Sequence, residues 1–222
     1  MKTNYLVAFT CGLFLVSCGS GSVNQPVKTE TSGVTKVQCQ SASVEHKKTC
    51  HGGDWAQHHL FGKVKTVKGA DFRIHFSERG IELDSNGNEL GETGREEEGS
   101  PLVYSITRDP QNGNRRVAEI QENPDECMRW NFSYVYDEDG RLISDTVITE
   151  GVIEIVTYTF DENGHVKKVV TMDSEGDISD AKIVQSIVYY IREVDEQGNW
   201  TEREAHVSDG TKFTETRSIE YY

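Results

Sequence analysis

From Leu60 to the end of the chain, apolar residues fall at alternate positions in short runs, and polar stretches rich in Asp, Asn and Gly separate the runs. Phe132, Tyr134 and Tyr136 lie on one side of an extended chain, and Ile153 and Ile155 do the same further on. A period of two is what a strand shows when its two faces have different surroundings. The 3.6-residue period of an amphipathic helix is hard to find after residue 60, and β-branched and aromatic residues dominate the apolar positions. The pattern predicts an all-β domain over residues 60–222.

One turn recurs between the runs. It reads Asp-x-x-Gly and occurs as Asp84 to Gly87, Asp137 to Gly140, Asp161 to Gly164, Asp173 to Gly176 and Asp195 to Gly198. Asp at the first position and Gly at the fourth are type I turn preferences, because the carboxylate accepts backbone N–H groups and Gly takes a left-handed conformation that a side chain opposes. Such a turn closes a three-residue hairpin with a bulge, which matches strand twist. Each copy therefore predicts a hairpin, with Asp137 facing Arg141, Tyr136 facing Leu142, Phe160 facing Val166 and Val194 facing Trp200. The expected fold is an antiparallel meander of repeated β-hairpins forming a curled or twisted sheet.

Tyr134-Val135-Tyr136-Asp137-Glu138-Asp139-Gly140-Arg141-Leu142-Ile143 resembles the YD repeat of RHS-type proteins, and Tyr158 to Val166 is a weaker copy with Phe160 in the Tyr position. Asp195 to Thr201 and the ending Arg217 to Tyr222 resemble the closing segment of short YD-repeat lipoproteins of the Bacteroides group. Leu60 to Lys65 is similar to their opening strand. The resemblance implies a β-repeat fold over residues 60–222. The copies are unevenly spaced, 24 residues from Asp137 to Asp161 and 34 from Asp161 to Asp195, which argues against a strict solenoid. Large RHS proteins wind such strands into a shell. A dozen strands at about 4.8 Å each span only about 58 Å, too little to enclose another domain.

The first residues have a different texture. Lys2 precedes an apolar run from Tyr5 to Val16 without a charged residue, the layout of a secretory signal and well short of the ~20 apolar residues of a membrane-spanning helix. Leu15-Val16-Ser17-Cys18 resembles the lipobox of bacterial lipoproteins, which implies cleavage after residue 17 and acylation of Cys18. Several acyl chains give stable membrane attachment where one does not. Residues 18–36, rich in Gly, Ser, Thr and Val, read as the lipidated cysteine and a flexible tether. The expected location is the bacterial cell envelope, at the outer membrane. Lys2 is the only charged residue before Cys18, so cleavage takes the formal net charge from −14 to −15. That balance repels nucleic acid and anionic headgroups, leaving the lipid as the membrane contact and a protein or glycan as the partner class.

Residues 37–59 form a lead-in with Cys39, Cys50 and four histidines, His46, His51, His58 and His59. The spacing fits no closed zinc motif, and export favours a Cys39–Cys50 disulfide, so no metal or other cofactor is expected. Cys127 is then the odd cysteine, either a buried thiol or bridged if Cys39 and Cys50 are not. The repeated Asp residues are explained by their turns, Glu96 to Glu98 read as a solvated loop, and no Gly-x-Ser-x-Gly or His-Glu-x-x-His occurs. Tyr134, Tyr136, Tyr158 and Phe160 read as core rather than as a sugar-stacking strip. No catalytic residue is nominated. The function expected is a non-enzymatic, lipid-anchored envelope module, binding or structural; the alternative is a hydrolase acting on polysaccharide, which needs two positioned carboxylates in a cleft.

The lipobox generates a direct test. Cys18→Ala should abolish labelling of the protein by a clickable fatty acid in cells, and labelling that persists would refute acylation at this position.

Overall fold

A carboxylate folded over its own turn builds most of the hairpins in the computed structural model, which describes residues 52–95 and 102–222, with backbone alone at Arg95. Cys18, Cys39, Cys50, His46, His51, the tether and Glu96 to Glu98 lie outside the described residues. At Asp137 the turn is closed by Gly140 N–H to Asp137 O at 3.0 Å and Asp137 N–H to Arg141 O at 3.0 Å, and the Asp137 carboxylate accepts the Arg141 N–H at 2.9 Å. Asp84, Asp161 and Asp195 repeat this arrangement around Gly87, Gly164 and Gly198. The four glycines have φ of +82° to +87°, in the left-handed region.

Ten strands follow one another in a single antiparallel sheet: β3 (Thr93–Arg95), β4 (Val103–Asp109), β5 (Arg115–Asn123), β6 (Met128–Tyr136), β7 (Leu142–Thr149), β8 (Val152–Phe160), β9 (Val166–Glu175), β10 (Lys182–Val194), β11 (Trp200–Val207) and β12 (Lys212–Thr216). The order in space is the order in sequence, and β3 and β12 do not pair, so the sheet is open. Tyr136 pairs with Leu142, Phe160 with Val166 and Val194 with Trp200, each next to a register shift. These are the facing pairs and bulges that the Asp-x-x-Gly hairpin requires.

The fifth expected turn is not formed. Asp173 lies inside β9, paired with Glu154 on one side and Lys182 on the other. The chain reverses beyond Gly176, where the Asp177 carboxylate accepts the Ser179 N–H at 2.8 Å at the start of a short 3-10 helix, Ile178–Asp180. The string Asp173-Ser-Glu-Gly-Asp177 offers two overlapping turn registers. The later one keeps the Asp173–Lys182 and Met172–Ile183 cross-strand pairs. Two further hairpins use the same turn without Asp at its first position: Gly80 N–H reaches Ser77 O and Gly210 N–H reaches Val207 O. Cys127, expected to be buried or bridged, sits on the exposed turn between β5 and β6 at φ +56°.

The chain's two ends of described structure meet. A three-stranded sheet places β13 (Ser218–Tyr221) beside β1 (Val64–Lys68), which pairs in turn with β2 (Arg73–His75). Trp55, Leu60, Val64, Val67 and Phe76 form its buried cluster, with Ile74, Ile219 and Tyr221 packed against it. Asn199, at the foot of β11 and fully buried, fixes the junction: its side chain accepts the Phe61 N–H at 2.8 Å and donates to Phe61 O at 2.8 Å and Tyr221 Oη at 2.6 Å. His165 Nε2–H donates to Gly198 O at 2.7 Å, tying two hairpin turns together beneath Phe61.

Gly164→Val should lower stability by more than ~1 kcal/mol, since a β-branched residue opposes φ near +84°. Asn199→Leu should cost about 2–4 kcal/mol, because it leaves the buried Phe61 amide and carbonyl without partners. Urea denaturation midpoints check both; unchanged values would remove the turn and the junction as determinants of the fold.

Candidate binding site

Asp54 is the deepest charge in the described structure, with a side chain that has no exposed surface. It is placed by backbone. Gly53, at φ +57°, donates its N–H to Gly113 O at 2.7 Å, and Asp54 N–H reaches Gly80 O at 2.7 Å. A Cβ on Gly53 would stand 2.5 Å from Gly80 O, so this approach requires glycine.

Two arginines converge on that carboxylate. Arg108, at the end of β4, donates through Nη1 at 2.7 Å and Nη2 at 3.0 Å, while Arg116, on β5, donates through Nε at 2.9 Å and Nη2 at 3.3 Å. The Glu82 N–H adds a fifth bond at 2.8 Å. Arg116 continues outward to the Glu82 carboxylate at 3.1 Å and the Glu119 carboxylate at 3.0 Å. Glu119 is further held by Gln121 Nε2 at 2.8 Å and Tyr134 Oη at 3.2 Å, and Tyr136 Oη donates to Arg116 O at 2.8 Å.

The electrostatics follow from burial and pairing. Burial works against the charged form of Asp54, but the two guanidiniums outweigh it and hold the carboxyl below its ordinary range. Burial likewise opposes charge on Glu82, and His58, 3.6 Å away, together with Arg116 brings its carboxyl below the usual value. Arg116 stays charged because Asp54, Glu119 and Glu82 offset its own desolvation. Burial first, then the Glu119 charge, pushes the Tyr134 hydroxyl well above the ordinary tyrosine range, so it acts as a donor.

The outer members of this network line a cleft of about 470 Å³ between β2 and the β4–β5 end of the large sheet. Glu82, Arg116, Glu119 and Gln121 supply its polar floor, with Tyr104 beside Gln121 on the same sheet; Arg73, His75, Asp84 and Leu90 also line it. The size is that of a small-ligand site, about 300–1,000 Å³. Glu82 and Glu119 are both bound to the Arg116 guanidinium, and Glu82, held below its usual range, is not poised to donate a proton at neutral pH. The carboxyls that burial raises are Asp145, which accepts Tyr158 Oη at 2.6 Å, and Glu154. They line neither this cleft nor the smaller cavity described below.

The residues singled out from sequence have other duties. Asp84 lines the cleft while its carboxylate holds its own turn, and Asp137, Asp161 and Asp195 stay at their turns. Tyr158 and Phe160 are covered by the His59 ring, at 4.7 and 5.6 Å between centroids, and the Tyr134 and Tyr136 hydroxyls are bonded inward. His58 packs edge-on to Phe76. Among the described residues no group of three or more His, Cys, Asp or Glu side chains is arranged to hold a metal ion, and no helix is long and apolar enough to cross a membrane. The floor residues escaped the sequence reading. Their only advance sign is charge, at Arg116 and Glu119, within a strand whose other residues include Val117, Ala118 and Ile120. No family model matches the chain, and no curated protein matches it in sequence.

Removing one member of a buried ion pair costs about 3–5 kcal/mol, so Asp54→Asn should destabilise the domain by that order. Asp54 and Glu82 are held low in the folded state, so their stabilisation is complete above the unfolded carboxylate range and is lost as pH falls through the folded values. Urea midpoints measured from pH 7 to pH 3 should fall for the wild type and fall less for Asp54→Asn; parallel curves would show that the network does not titrate with folding.

Proposed function

We propose that the chain is a lipid-anchored envelope module of YD-repeat type that captures a neutral, hydroxyl-rich ligand, a short glycan, in the cleft over Arg116 and does not cleave it. The observation that carries this reading is the floor itself: Glu82, Arg116, Glu119 and Gln121 are fixed by one another before any ligand arrives. Pre-ordered donors and acceptors reduce the entropy cost of binding. Charge on the lining is nearly balanced, Arg73 and Arg116 against Glu82, Asp84 and Glu119 with His58 beside Glu82, which favours an uncharged partner over an ionic one. Leu90 and Tyr104 offer apolar surface to the faces of a sugar ring.

Hydrolysis is the weaker reading. It asks for a carboxylic acid beside a second carboxylate at the bound bond, and the carboxyls that burial raises sit away from the cleft. Attachment through acylated Cys18, and the outer membrane as the site of action, belong to the same proposal and rest on the lipobox.

The test uses the full lipidated chain in non-ionic detergent and titrates neutral oligosaccharides of two to six units by calorimetry. Binding should be measurable for at least one class. Glu119→Gln and Gln121→Ala should each weaken it about tenfold or more, at roughly 1.4 kcal/mol per decade, while the fold is retained. Absence of binding to any neutral oligosaccharide, or release of shorter products on incubation, would overturn the proposal.

A further inference from the structure

A second cavity, of about 190 Å³, lies between the β1–β2 hairpin and the β11 end of the large sheet. Its chemistry is unlike that of the larger cleft. Arg217, in the crossing from β12 to β13, enters it with a guanidinium stacked 3.8 Å over the Trp200 ring, and Arg203 lies 4.1 Å from the same ring and 3.6 Å over Tyr189. Two cations therefore share one indole.

Their partners are unequal. Arg203 Nε is bonded to the Glu215 carboxylate. Arg217 Nε donates to Trp200 O at 2.8 Å, but its Nη2 is buried with no hydrogen-bond partner among the described residues. Burial, and then the neighbouring Arg203 charge, penalise the charged form of Arg217; Tyr221, Asp195 and Glu215 answer only in part. A guanidinium does not shed its proton inside a protein, so the penalty has to be met by a counter-charge or remain as a cost. Buried donors left unpaired cost about 1–3 kcal/mol, more when charged. None of the described histidines lining the cavity brings a counter-charge: His165 is committed to Gly198 O and Asp161, His58 faces Glu82, and the His59 ring packs on Tyr158 and Phe160.

The remaining walls are apolar. Val67, Ile74 and Val166 close the inner side, and the ring of Phe72, about half exposed, stands at the edge. Phe72 is held there by the tight β1–β2 turn, in which Gly69 N–H reaches Phe72 O at 3.0 Å and the ring lies where a Gly69 side chain would be. The space equals about six liquid waters at ~30 Å³ each, enough for a carboxylate joined to a ring or short alkyl group.

The geometry points to a carboxylate-binding site that takes a small molecule with an apolar body, its head on Arg217 and Arg203 and its body against Trp200, Phe72 and Val67. Planar carboxylate oxygens suit the forked donors of arginine, and the apolar walls select against a bare inorganic anion. The site is separate from the glycan cleft, so it stands or falls independently of that reading.

The test titrates the full chain in non-ionic detergent with benzoate, its neutral isostere benzamide, and sulfate, at constant ionic strength and pH 7. Benzoate should bind saturably, with benzamide and sulfate each at least tenfold weaker. Arg217→Met, which removes the buried charge while keeping volume, should abolish benzoate binding. Phe72→Ala, at an exposed wall, should weaken it about threefold, and it serves with the wild-type comparison if Arg217→Met fails to fold. Benzamide binding as tightly as benzoate, sulfate binding as tightly as benzoate, no benzoate binding, or full binding by a folded Arg217→Met variant would each overturn the assignment.

Discussion

The buried carboxylate of Asp54 is the constraint around which one end of the molecule is arranged. With no exposed surface, it stays charged only because five donors from three segments of chain meet it: Arg108, Arg116 and the Glu82 amide. Relative to a well-packed apolar core, such a network is a weak source of stability, since desolvation consumes most of the Coulomb gain. What it supplies is definition. The short helix at Gly53–Ala56 and the strands β4 and β5 can each satisfy their charges in one mutual arrangement, and Arg116 then fixes Glu82 and Glu119 at the floor of the cleft.

The other end is governed by local turn chemistry. Each Asp-x-x-Gly hairpin inserts a bulge, and a bulge adds right-handed twist, so a run of such hairpins coils rather than lying flat. The ten-stranded sheet nevertheless stops short of closing, and its edges would be left to pair with other chains. The crossing from β12 into β13 gives the closing segment a partner in β1, and Asn199 locks that return to Phe61. A hairpin turn thus holds both its own strands and the opening segment 138 residues away.

How much of this was readable follows from the distance over which each feature is encoded. The pairs Tyr136–Leu142, Phe160–Val166 and Val194–Trp200 were legible because turn type and register are settled within about seven residues. The Ser77 and Val207 turns were missed because another residue holds the first position and only the glycine remains as a signal. The Asp173 turn was misplaced because two registers compete and cross-strand pairing, which is not local, chooses between them. The Asp54–Arg116 contact joins residues 62 apart with no spacing rule to announce it. Arg217 looked like part of a family-like ending, and nothing in Arg217-Ser218-Ile219 foretells a guanidinium buried over Trp200.

The two cavities are separated by one strand, since Ile74 of β2 lines both. On one side of it Arg116 is matched by Glu82 and Glu119; on the other, one guanidinium has a donor that nothing described satisfies. Matched groups can exchange hydrogen bonds with a neutral ligand at little electrostatic cost, whereas an unmatched cation rewards only an anion. The carboxyls that burial raises, Asp145 and Glu154, belong to neither space. The proposal that both spaces hold a molecule rests on this separation of the raised carboxyls from the cavities.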